Sequence, residues 1–126
     1  MRGEDAPRFQ PVDVFLEVPE GIRVGAWQIE VRPVGGEAKL VGVEGGEAPD
    51  FTNPPYYDPR ALADGERIVL AAFTRGRPLG PGRHRVATLH TLGTAVRWEA
   101  TLVAAGDEAG RRIELRVWAK AREEAR

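Results

Sequence analysis

The side chains with the most chemical potential in this chain are two histidines, His84 and His90, nineteen carboxylates and two adjacent tyrosines, Tyr56 and Tyr57. The chain has no serine and no cysteine. Ser–His and Cys–His nucleophile pairs, thiolate metal sites and disulfides are therefore excluded. His84 and His90 have the same parity within one alternating run, which predicts that they project from one face of one strand. Six residues of strand put them roughly 20 Å apart. They cannot share a metal ion whose ligands sit about 2 Å away, and they read as histidines at a sheet surface.

The carboxylates form no recognisable set. Asp58, Asp64 and Glu66 lie in or just after a proline-rich segment, and Asp107 and Glu108 lie at a turn tip. These are turn formers and caps. No Asp-x-Asp-x-Asp spacing supports a calcium loop. Gly35-Gly36 and Gly45-Gly46 flank a short strand and lack the Gly-Lys-Ser/Thr of a phosphate loop. No catalytic, cofactor-binding or metal-binding residue is assigned, and the chain is not expected to be an enzyme. What remains is binding by aromatic side chains. Tyr56 and Tyr57 sit in the proline-rich segment, where a rigid loop could present them for stacking. The opposing expectation is that they fold back with Pro54 and Pro55 to cap one end of the domain. Trp118 has the parity of Glu114 and Arg116, opposite Ile113, Leu115 and Val117, so it is expected on an exposed face or over a sheet edge. Trp27 and Trp98 have the parity of inward apolar residues and are expected in the core.

The elements that must position these residues are strands. Val12, Val14, Leu16 and Val18 alternate with polar or outward residues, and Trp27, Ile29 and Val31 alternate with Gln28, Glu30 and Arg32. A short strand is expected at residues 38–43. Residues 67–74 are nearly all apolar, as a central strand covered on both faces would be. Further strands are expected at residues 84–92, at 95–104 with Val96, Trp98, Ala100 and Leu102 on one face, and at 112–119. Residues 106–110 read as a hairpin loop. Residues 46–65 break the pattern. They hold four of the ten prolines, which remove ladder donors, so they predict a long ordered loop with a helical turn near residues 59–63.

No stretch of ten residues has a helical period. About seven to nine strands separated by turn signals predict an all-β fold, an antiparallel β-sandwich of jelly-roll or Greek-key type. Neither a repeat nor a linker divides the 126 residues, so residues 1–126 are expected to be one domain, with disordered ends near 1–8 and 120–126. The net charge is −1 and the cations are spread along the chain. That argues against nucleic acid, which calls for a basic patch or stripe. No apolar run is long enough to insert into a membrane as a helix. The first residues have no apolar signal region. The compartment is expected to be extracellular or cell-surface if a leader has been removed, and is otherwise open.

The order of elements resembles the cohesin domain, a bacterial module that docks dockerin-bearing proteins. The resemblance rests on a Val-rich opening strand, on Gly25-Ala-Trp-Gln-Ile-Glu-Val, and on Val41-Gly-Val-Glu-Gly-Gly. It continues through Phe51 in the irregular segment, Gly65-Glu-Arg-Ile-Val-Leu-Ala-Ala-Phe, and Gly82-Arg-His-Arg-Val-Ala-Thr-Leu-His. It covers roughly two thirds of the chain. The family's Tyr-Asp-Pro after the second strand is replaced by Arg32-Pro-Val-Gly-Gly. The resemblance implies a jelly-roll sandwich related to carbohydrate-binding modules, and a dockerin-like partner protein. It carries over no binding residue. The alternative expectation is a polysaccharide ligand held by Tyr56, Tyr57 or Trp118.

Overall fold

Alternation of period two gives each strand one apolar face, and two such sheets remove those faces from water by packing against each other. A computed structural model of the chain, which describes residues 6–62 and 67–122, has this architecture. The strands are β1 (Arg8–Val18), β2 (Val24–Val34), β3 (Ala38–Gly45), β4 (Ile68–Phe73), β5 (Gly82–Gly93), β6 (Arg97–Asp107) and β7 (Arg116–Ala121). One sheet has the order β3-β5-β1-β7 and the other β4-β2-β6, and every pairing is antiparallel. Each connection carries the chain from one sheet to the other, so consecutive strands are never ladder neighbours.

Much of the core comes from the inward positions expected from the alternation. Val12, Val14, Leu16 and Val18 of β1 meet Trp27, Ile29 and Val31 of β2, with Leu70 and Leu89 from flanking strands, and all are buried. Trp27 and Trp98 lie in this core as expected, and Trp98 Nε1 donates to Gln10 Oε1 at 3.0 Å. The flank between β3 and β4 is filled by the long loop. Its 3₁₀ turn, Pro49–Phe51, drives Phe51 inward, and Leu62 plugs the same side.

Several expectations are corrected. The apolar run at residues 67–74 is not a central strand. β4 is the edge of its sheet, bridged on its outer side by Tyr56 of the loop, and its outward face carries Ala71 and the exposed Phe73. Val96 does not share the inward face of Trp98; it is 69% exposed, in the connection that precedes β6. Residues 106–110 do not close a regular hairpin. The ladder starts at Gly106–Arg112 and splits, and residues 112–115 cross to the other sheet, so the last strand is Arg116–Ala121.

Residues 59–62 form a turn, with Ala61 N donating to Asp58 O at 2.8 Å; Ala63, Asp64 and Glu66 lie outside the described residues. Some residues expected in the ends belong to strands. Arg8 begins β1 and its Nη2 donates to Ala95 O, while Lys120 and Ala121 belong to β7. Residues 1–5 and 123–126 lie outside the described residues.

His84 and His90 do not share a face. Val14 pairs with Ala87 but Phe15 pairs with Arg85, so Val86 is an extra residue in β5. Such a bulge reverses the parity beyond it. His84 stands opposite the buried Leu16, its Nε2 2.8 Å from Gly80 O. His90 stands on the outer face, its Nε2 2.6 Å from Glu44 Oε1.

A candidate binding trough on the three-stranded sheet

Tyr56 follows Pro54-Pro55, which restrain the backbone leading into it. It makes a two-bond bridge with β4: Tyr56 N donates to Ala71 O at 2.8 Å and Ala71 N donates to Tyr56 O at 3.0 Å. Opposed residues in an antiparallel pair share a face, so the Tyr56 ring is outward with Ala71. Phe73 lies two residues further on the same face. The two rings stack with centroids 6.0 Å apart and planes 8° from parallel. Tyr56 is 65% exposed and Phe73 53%.

Beside this aromatic wall the sheet has almost no side chains. Phe73 pairs with Ala26 and Ala26 with Gly106, while Ala71 pairs with Gln28 and Gln28 with Ala104. The truncated floor of Ala26, Ala71, Ala104 and Gly106 leaves an open hollow of about 270 Å³. Among the described residues that line it, Gln28 and Tyr56 are the exposed ones with polar side-chain groups. Exposed ion pairs lie on the same sheet and at its end: Glu30 with Arg67 at 3.3 Å, and Arg23 with Glu108 at 3.5 Å.

The three aromatics singled out by sequence therefore separate. Tyr56 lines the trough. Tyr57 is half-buried against the core. Trp118 lies on the outer face of the other sheet, paired with Phe15, with ring centroids 5.4 Å apart. The Arg116 guanidinium lies 5.1 Å from the Trp118 ring centroid. Phe73 and the small floor residues were missed. Their signal is the parity of Ala71 and Phe73 against Ile68 and Leu70, in a run that looked apolar throughout.

The outer face of the four-stranded sheet is knit together by polar groups. Thr88 Oγ1 and Arg122 Nη2 both donate to Asp13 Oδ1 at 2.7 Å, and Arg85 Nη1 donates to Thr88 Oγ1 at 2.8 Å. Arg122 thus ties the chain beyond β7 to the central strand β1. Arg122→Ala leaves a mostly buried carboxylate with one fewer charged partner, and its side chain is half exposed in the folded protein. The expected loss is about 1 kcal/mol, read from urea unfolding. An unchanged midpoint would refute the tie.

Burial alone would raise the Asp13 carboxyl, but hydrogen bonds from Arg122 and Thr88 hold it below its usual value. Backbone and side-chain donors do the same elsewhere: Thr74 and Arg77 at Asp50, the Arg60 amide at Asp58, and the Arg111 amide at Asp107. Each group is more acidic in the folded protein than in the unfolded chain. Their contributions are therefore complete above the unfolded value, near pH 4, and are lost as pH falls through the folded values. The urea midpoint should be lower at pH 3 than at pH 6. A midpoint that does not fall over that interval contradicts these assignments.

Among the described residues no three His, Cys, Asp or Glu come together to hold a metal ion, and no helix is long and apolar enough to cross a membrane. Fold and surface define a class: an antiparallel β-sandwich carrying an apolar, aromatic-walled trough on the smaller sheet. No family model matches the chain, and no curated protein or solved structure matches it significantly.

Proposed function

We propose that the chain is a non-catalytic docking module whose trough receives an apolar side chain from an extended segment of a partner protein. The observation that carries this reading is the lining of the hollow. Two exposed rings stand over an alanine–glycine floor, with Gln28 and the Tyr56 hydroxyl as its exposed polar side-chain groups. A sugar ring would bring several hydroxyls to this surface, and most would lose water without gaining a partner. An aliphatic or aromatic side chain carries no such cost. The surrounding sheet, with its exposed ion pairs, would supply the polar rim of an interface of roughly 800 Å² per partner. A cohesin-like role on a bacterial surface or in an extracellular assembly, with a dockerin-like partner, agrees with this reading.

The ring pair also favours a second reading, a polysaccharide ligand stacked on Tyr56 and Phe73. The test is retention of proteins from the native organism's lysate and culture supernatant, beside a polysaccharide panel, for wild type and Phe73→Ala. A partner protein lost with Phe73→Ala supports docking. Polysaccharide retained by wild type and lost with Phe73→Ala replaces docking by sugar binding. A partner retained equally by both proteins refutes the trough.

A further inference from the structure

The two halves of the aromatic wall come from different segments, and one carboxylate joins them. Tyr56 belongs to the loop that follows the 3₁₀ turn Pro49–Phe51, whereas Phe73 ends β4 and leads into the turn at residues 74–77. Asp50, in that 3₁₀ turn, reaches across. Its Oδ2 accepts from Thr74 Oγ1 at 2.7 Å, from Arg75 N at 2.8 Å and from Arg77 N at 2.7 Å. Its Oδ1 accepts from Arg77 Nε at 2.9 Å. Thr74 is also held from the other side, its amide donating to Gly25 O at 2.7 Å. Asp50 is 7% exposed at its side chain and does not line the hollow.

We infer that Asp50 is the positioning residue of the trough: it locks the loop that carries Tyr56 to the strand end that carries Phe73, so that the wall exists before any partner arrives. This rests on the trough being the binding surface, but the lock has a readout of its own. A wall assembled in advance avoids ordering two segments on binding, a cost of about 0.5–1.5 kcal/mol for each immobilised side chain. Four hydrogen bonds converge on one carboxylate, three of them from backbone or hydroxyl groups of residues 74–77, and they add to the Tyr56–Ala71 bridge.

The test is amide hydrogen exchange at Tyr56 and Ala71, whose mutual hydrogen bonds form the bridge, against Ile29 in the central strand β2. Asp50→Ala removes all four acceptor contacts. Protection at Tyr56 and Ala71 should then fall by at least about tenfold more than at Ile29, the pattern of a local opening. An equal fall at all three positions assigns Asp50 to global stability and overturns the inference, as does no fall. Should Asp50→Ala not fold, Thr74→Val removes the hydroxyl donor while keeping the side-chain shape, and the same criterion applies to it. Failure of Phe73→Ala to affect partner retention would refute the docking surface without touching this result. An unchanged bridge in Asp50→Ala would refute the lock without touching the docking surface.

Discussion

Gly45→Ala is expected to cost the protein several kcal/mol and to abolish its soluble expression at elevated temperature. Gly45 ends β3 where the loop turns back over the sheet, and it is buried. A Cβ there would collide with the carbonyl oxygens of Thr52 and Asn53. Neither obstacle is the free end of a side chain. Both are backbone of the segment that follows Phe51, and Gly46 N is bonded to Phe51 O at 2.7 Å. Making room means lifting that segment, and Phe51 with it, out of the core. Displacing a buried aromatic costs about 3–5 kcal/mol by analogy with Phe→Ala, a large part of the stability of a domain of this size. The measurement is thermal or urea unfolding. A shift smaller than that of a routine surface substitution, about 0.5 kcal/mol, would show that the loop is not packed as described. Gly42, with open space around it, is the matched control.

The second large effect is on binding and should leave the fold almost untouched. In the double variant Tyr56→Ala/Phe73→Ala both removed rings are more than half exposed, so little buried apolar area is lost from the folded state. The stability change should stay within about 1 kcal/mol, mostly the value of the stacked pair itself. Affinity for the partner should fall at least about a hundredfold, because buried aromatic anchors in an interface are commonly worth 2 kcal/mol or more each. Titration calorimetry with the captured partner, paired with urea unfolding of the same variants, separates the two outcomes. Loss of affinity together with loss of fold would assign the rings to stability instead. Trp118→Ala provides the contrast: its ring is packed on Phe15 and against Arg116, so it should cost stability and leave partner affinity alone.

Much of the fold was legible because burial and strand geometry leave a period of two in the sequence. Val12, Val14, Leu16 and Val18 read as one buried face and are one. The places where the reading failed share a cause. The bulge at Val86 reversed the faces of His84 and His90, and nothing local in Arg85-Val-Ala-Thr marks which residue is extra. The apolar run Ile68–Phe73 looked central, because outward alanines lining an open hollow and inward alanines in a core have the same composition. The pair Tyr56-Tyr57 was singled out by its proline-rich context, but its two members behave oppositely. Consecutive residues in extended backbone point to opposite sides, so one ring joins the wall and the other packs inward.

By itself the sequence determined the class of fold, the inward residues of most strands, the core tryptophans and the absence of serine and cysteine chemistry. These follow from composition and from short-range alternation, each legible within one strand. The tertiary structure alone decided which strand lies at an edge, that Phe73 stands beside Tyr56, that Ala26, Ala71, Ala104 and Gly106 form one floor, and that Asp50 closes on Thr74 and Arg77. These are contacts between residues far apart in the chain, created by strand order. A chain that changes sheets at every connection has no ladder between consecutive strands, so its order cannot be read from neighbouring turns.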